Sequence, residues 1–120
     1  MKNWKPIFIE NSRVPVWLSY LAPINIGAIT IFFLVFSRGS MSAETKRHET
    51  IHFQQMLETL VLPFLFIYLW DYVWGYFKHC RDGRAAYFSI RAEQEAHTMD
   101  HVSDYLETRQ RWYWLWDYKV

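Results

Sequence analysis

Residues His48 to His52 read HETIH, two imidazoles four positions apart with a carboxylate directly after the first. On a helix, positions four apart lie on one face, one turn above the other. His48 and His52 therefore aim at one point, the known spacing of two zinc ligands. Glu49 neighbours His48 around the helix and reaches toward a metal-bound water, whose pKa zinc lowers to about 7. A carboxylate placed there takes the proton. The bland alternative is a five-residue pattern arising by chance on an unrelated helix. The flanking residues fit a helix half-buried at its ligand face, with Ile51 and Phe53 apolar, Gln54 and Gln55 polar, and a basic pair, Lys46 and Arg47, in front.

A catalytic zinc needs a third protein ligand and an open position. One stretch supplies candidates densely, RAEQEAHTMDH from Arg91 to His101. Glu93, His97, Asp100, His101 and Asp104 recur at three- and four-residue steps and form one polar stripe of a helix. A solvated acidic face is the ordinary meaning of such a stripe. Yet His97 and His101 repeat the four-residue histidine spacing, and a solvated face has no need of histidines. Four of the five histidines thus fall in two such pairs.

The elements that must position these residues are legible in outline. Met1 to Arg13 reads as an extended lead-in, and Val14 to Leu21 as a short helix ended by Pro23. Ile24 to Ser37 reads as one strand, or two with a bend at Gly27, and Arg38-Gly39-Ser40 as a turn. Ser42 can cap a helix whose first turn holds Glu44. That helix carries HETIH to about Leu62, where Pro63 ends or kinks it. Another follows from Phe64 to about His79, then a turn at Arg81 to Arg84. Ser89 reads as the N-cap of a last long helix, Ile90 to about Arg109, before an aromatic tail, RWYWLWDYKV.

Composition bounds the reading. A chain of 120 residues without internal repeat or low-complexity linker is most simply one domain, 1–120. A formal charge of +1 implies no broad basic face, so no nucleic-acid partner is expected. A single cysteine, Cys80, rules out an intrachain disulfide. Aromatic residues make up 20% of the chain, suited to a small packed core, an interface or a membrane boundary. Val14 to Phe36 carries no charge and is long enough to span a bilayer. Pro15, Pro23, Asn25 and Gly27 interrupt it, and its second half, ITIFFLVF, is rich in the residues of a buried strand. Leu57 to Phe77 is also apolar but contains Glu58, Pro63 and Asp71. Glu10 and Arg13 stand where the hydrophobic region of a signal peptide would begin, so none is read there. A membrane surface is therefore a candidate partner, and the compartment is open between cytoplasmic and membrane-associated.

HETIH followed downstream by EQEAH resembles the gluzincin-type zinc metallopeptidases, in the prenyl-protein protease branch and the phage-immunity type. There a helix bearing an E-x-x-A-D or E-x-E-A-like motif supplies the third zinc ligand. The resemblance implies His48, His52 and Glu93 as ligands and Glu49 as general base. RHETIHFQQMLETLVLPFLFIYLWDY and AYFSIRAEQEAH are also similar to a family of small uncharacterised Bacteroidetes proteins, over roughly Ile24 to Asp104. The chain departs from the peptidases at His97, where they carry an aspartate that supports a ligand histidine. His97 is thus a supporting residue or a ligand itself. Asp100 and His101 share that standing.

Other residues weigh less. Gln55 lies one turn beyond His52, and a helix-surface glutamine is the stronger reading than a partner of the histidine. Glu58 is structural, pairing with a basic residue of the last helix. Tyr87 or Tyr105 can supply an oxyanion donor. Cys80 beside His79 is too isolated for a metal site. Trp112, Trp114 and Trp116 pack on the body or lie at a membrane surface. The expectation is an α+β, mostly helical, minimal zincin-like domain, with a short β-sheet or hairpin before the HExxH helix. Its cofactor is Zn2+ and its partner a peptide or protein substrate, hydrolysed by a metal-activated water. One alternative is a membrane-associated di-iron protein using His48, His52, His97 and His101 with Glu49, Glu93 and Asp100. Another is a zinc-stabilised domain without catalysis.

Overall fold

A computed structural model describes residues 5–11, 13, 28–31, 34–37 and 39–120. Strands β1 (Ile7–Ile9), β2 (Ala28–Ile31) and β3 (Leu34–Ser37) form a sheet of order β1-β3-β2. β2 and β3 run antiparallel with Ile29 opposite Phe36, and β1 runs parallel to β3 with Phe8 opposite Val35. Ala28–Ile31 and Leu34–Ser37, at the end of the uncharged stretch, are thus paired extended chain, as the β-branched composition there favours. The expected helix at Val14 to Leu21 lies outside the described residues.

Helix α1 (Ala43–Thr59) begins at Ser42, whose Oγ accepts from the Thr45 N–H at 3.1 Å, with Glu44 facing the positive end of the dipole. Every residue from Glu49 to Met56 is buried. A helix covered on all sides for two turns is central, and α1 indeed packs against β2, against α2 (Val61–Lys78) and against α4 (Arg91–Met99). The chain breaks between α1 and α2 at Leu60, held at φ 65°, and the helix axes bend by 112°. Pro63 falls in the first turn of α2, where its missing N–H costs no hydrogen bond. The bend therefore comes at Leu60 and not at the proline.

α2 lies against α3 (Gly83–Ser89) so closely at Gly75 that a Cβ there would stand 3.3 Å from the Cα of Ala86. α3 was not expected from the sequence. Asp82 starts it, its Oδ1 accepting from the N–H groups of Arg84 and Ala85 at 3.0 and 3.1 Å. Ser89 belongs to α3 and donates to the Ala86 carbonyl, so the expected N-cap is wrong. The residue in that place is Ile90, without a side-chain cap. The expected long helix from Ile90 to Arg109 is also wrong. α4 stops at Asp100, and only α5 (Tyr105–Thr108) and α6 (Trp114–Asp117) follow. The Asp100 carbonyl accepts from Arg47 and its carboxylate meets His48, contacts that hold the chain at α1.

Met56, Phe64, Ile90, Ala92 and Trp114 form a core between α1, α2, α4 and α6. Trp114 is fully buried and its Nε1 donates to Glu58 Oε2 at 3.0 Å, so the tail packs on the body. Glu58 also pairs with Arg109, as its structural reading anticipated. Fold class is α+β and mostly helical. Among the described residues no single helix is long and apolar enough to cross a membrane.

Candidate metal centre

α1 and α4 face one another, and their polar residues meet on a single carboxylate. Glu93, in the first turn of α4, is 4% exposed. Its Oε1 lies 2.9 Å from His52 Nε2, and its Oε2 lies 3.6 Å from His48 Nε2 and 3.4 Å from His97 Nε2. The Tyr68 hydroxyl of α2 donates to Oε1 and the Tyr87 hydroxyl of α3 to Oε2, both at 3.1 Å. One ligand atom each of His48, Glu93 and His97 lies within 4.8 Å of the others. The helical repeat brings His48 beside His52 and Glu93 beside His97, and the packing of α1 on α4 brings the two pairs together.

The far nitrogens of the α1 histidines decide which face of each ring is available. His48 Nδ1 lies 3.0 Å from Asp100 Oδ2, and His52 Nδ1 lies 2.9 Å from Gln55 Oε1. A carboxylate and an amide oxygen only accept, so each Nδ1 carries the proton. The Gln55 amide cannot be turned around, because its Nε2 donates to Glu95 Oε1 at 2.7 Å and to the Ala92 carbonyl at 3.0 Å. In the neutral ring, Nε2 is then the lone-pair nitrogen of both histidines. His52 Nε2 is buried and makes no aligned hydrogen bond, although Glu93 Oε1 is near. Its contact with Glu93 is one of charge proximity, not of a shared proton along one line. Nδ1 held by an oxygen while Nε2 is turned to a carboxylate is the arrangement that orients metal-ligating imidazoles.

Without a metal the cluster is held by charge. Burial opposes the imidazolium of His52, but the Glu93 and Glu49 carboxylates outweigh it and take His52 up to about 9. Burial likewise works against the Glu93 carboxylate, while the charge of His52 opposite and the nearby His48 and His97 nitrogens hold it well below the usual carboxylate range. Burial and the negative charge of Glu93 push the Tyr68 and Tyr87 hydroxyls up, so both remain protonated donors at physiological pH. Glu49 is buried, and its charge is felt at His52, Tyr68 and Tyr87.

Of the residues singled out in the sequence, His48, His52, Glu93 and His97 come together, Glu49 adjoins them, and Asp100 supports His48 from behind. His101 does not join: its side chain is 65% exposed, 3.9 Å from Asp100 on the outer side of the turn. Gln55 is fully buried and bonded to His52, so the helix-surface reading is overturned. Its clue was the spacing His52–Gln55, one helical turn. Tyr105 donates to Glu95, away from the cluster. Tyr68 was missed, because one tyrosine in an apolar run carries no signal until its helix is docked.

No protein family, curated protein or solved structure matches the chain.

Proposed function

We propose that the protein is a zinc-dependent metallopeptidase of minimal zincin-like design. The observation that carries the reading is the orientation of His48 and His52. Each is held at Nδ1 by an oxygen acceptor, and each turns Nε2 to the same buried carboxylate, Glu93. Imidazole nitrogens with carboxylate oxygen suit zinc. His48, His52 and Glu93 would hold the ion, which supplies activation of a water molecule and polarisation of a carbonyl. Glu49, one residue from His48 and buried beside the cluster, takes the proton of that water and returns it to the leaving amine. The Tyr68 and Tyr87 hydroxyls, kept protonated, are the neutral donors nearest the reacting centre. β2 favours a peptide substrate. It lies against α1, which puts paired extended chain beside the helix of the candidate ligands, and peptides bind such sheets by strand addition.

His97 supports a second reading. Its Nε2 stands as close to Glu93 as that of His48, and a fourth protein ligand would close the site into a structural zinc centre. Glu49→Gln separates the two. In the peptidase the variant binds one zinc per chain with unchanged thermal stability, and peptide hydrolysis falls about a hundredfold or more. Cleavage by Glu49→Gln at the wild-type rate, at equal zinc occupancy, sinks the proposed mechanism. Absence of cleavage by the wild type across a broad peptide library, with zinc lost on His97→Ala, leaves the structural centre.

A further inference from the structure

α2 turns the wrong side outward for a helix in water. Leu62, Leu65, Phe66, Leu69, Trp70, Val73, Trp74 and Phe77 are all exposed, from 43% at Val73 to 71% at Phe66. They recur at alternating steps of three and one, so they form one continuous stripe, about 22 Å long at the helical rise per residue. The opposite side, with Phe64, Asp71 and Gly75, is the side packed on the body. Phe88 of α3 and Trp116 of α6 are exposed as well. A shallow groove of about 390 Å³, lined in part by Trp70, Trp74, Trp116 and Lys119, extends the patch toward the tail. A single apolar face on this scale marks an interaction surface.

The chemistry of the stripe selects its partner. A protein interface carries about one hydrogen bond per 100–200 Å² to fix register. The eight side chains of the stripe offer only two indole N–H groups. The charged residues of α2 are two: Asp71, buried and paired with Arg91, and Lys78 at the last position. Nothing on the face therefore sets a register. A fluid apolar phase needs none, and tryptophan is the side chain that favours its boundary with water. Exposed Arg81 and Arg84 follow at the end of the stripe, where α2 turns into α3, together with exposed Lys78, whose Nζ donates to the Val120 carbonyl at 2.6 Å. The nearby Asp82 carboxylate is engaged by the N–H groups of α3. An apolar strip ending in cations matches the acyl region and anionic headgroups of a bilayer.

We infer that α2 is a monotopic membrane-docking helix, which lies in one leaflet along the stripe from Leu62 to Phe77 with Lys78, Arg81 and Arg84 at the headgroups. This rests on α2 and the cations that follow it, and is independent of the metal chemistry. Tyr68, on the inward side of the same helix, links the docked face to Glu93, so the metal centre lies one helix away from the lipid.

The test uses the full chain with detergent removed, mixed with vesicles of phosphatidylcholine, or of phosphatidylcholine and phosphatidylglycerol at two to one. The wild type partitions onto both, more tightly onto the anionic vesicles. Its tryptophan emission shifts to the blue and is quenched by brominated acyl chains. Phe66→Glu with Leu69→Glu lowers partitioning by about a hundredfold, the scale of withdrawing two large side chains from an apolar phase. Phe66→Gln with Leu69→Gln lowers it similarly without adding charge. Both positions are exposed, so both variants keep the wild-type circular dichroism and zinc content, which separates loss of docking from failure of the metal site. Three outcomes overturn the inference. In one, the double variants partition as the wild type does. In another, vesicles are not bound and the protein forms a dimer that either variant breaks, which assigns the face to a second copy. In the last, the protein is monomeric and ignores vesicles, which means its own chain covers the stripe.

Discussion

Glu93 and Glu95 stand two residues apart on α4, both buried, and they are compensated in opposite ways. Glu95 faces a permanent cation. Its oxygens take Arg109 Nε at 3.0 Å and Nη2 at 2.9 Å, together with the Tyr105 hydroxyl and the Gln55 amide. Arg109 reaches past it to Glu58, whose Oε2 also accepts from the Trp112 N–H and the Trp114 indole. Each partner there is fixed in protonation and saturated. Glu93 faces two hydroxyls that stay protonated and three imidazoles, whose protons can leave or be replaced by a metal. One region ties the tail to α1, and the other holds an exchangeable charge. Gln55 joins them, one end on His52 and the other on Glu95. The structural ion pair therefore fixes the orientation of the candidate ligand.

The comparison breaks most severely at Arg109. Arg109→Met leaves Glu58 and Glu95 buried without their cation, and unfolding by denaturant is expected to show a loss of about 3–5 kcal/mol. Restoring charge balance with Glu95→Gln in the same chain should recover part of that loss. If Arg109→Met is no less stable than the wild type, the cluster is not structural.

The next effect separates the regions by pH. His52 is raised from 6.5 to about 9, so the metal-free fold binds its proton more tightly than the unfolded chain does. That stabilisation is fully present below pH 6.5 and is lost as pH rises through 9, up to about 3 kcal/mol in all. The Arg109 cluster contributes no change in this window, because guanidinium keeps its proton. Melting of the zinc-free protein between pH 6 and pH 9.5 should show the decline, and His52→Asn should flatten it. A flat wild-type profile would remove the charged His52–Glu93 pair from the description.

The smallest expected effect sharpens the link between the regions. Gln55→Ala and Asp100→Ala, which free Nδ1 of His52 and His48, should each weaken zinc binding by about 10- to 100-fold. Glu95→Gln keeps a carbonyl oxygen for the Gln55 amide and should leave zinc affinity within a few-fold. Competition with a chromophoric chelator measures all three. Equal loss in Glu95→Gln and Gln55→Ala would mean that the ion pair is itself part of the metal site.

How far these features could be read from sequence follows from the range of the forces involved. Helical spacing is local, so HETIH, the Ser42 cap and the Glu93–His97 pair stand in the chain before any folding. The β-branched and aromatic residues of ITIFFLVF announce extended chain for the same reason. The end of α4 at Asp100 was not legible, because it depends on contacts to Arg47 and His48, more than fifty residues away in the chain. Gln55 looked like a surface residue because its partners, Ala92 and Glu95, lie on another helix. Leu57 to Phe77 was legible only as an apolar stretch, and apolar composition alone predicts that its side chains turn inward. Only the docking of Phe64, Asp71 and Gly75 on the body decided that the stripe on α2 turns out. By itself the sequence determined which side chains share a helical face. The tertiary structure decided which faces meet, since that depends on long-range packing and on the pairing of buried charges, neither of which is written in any local window.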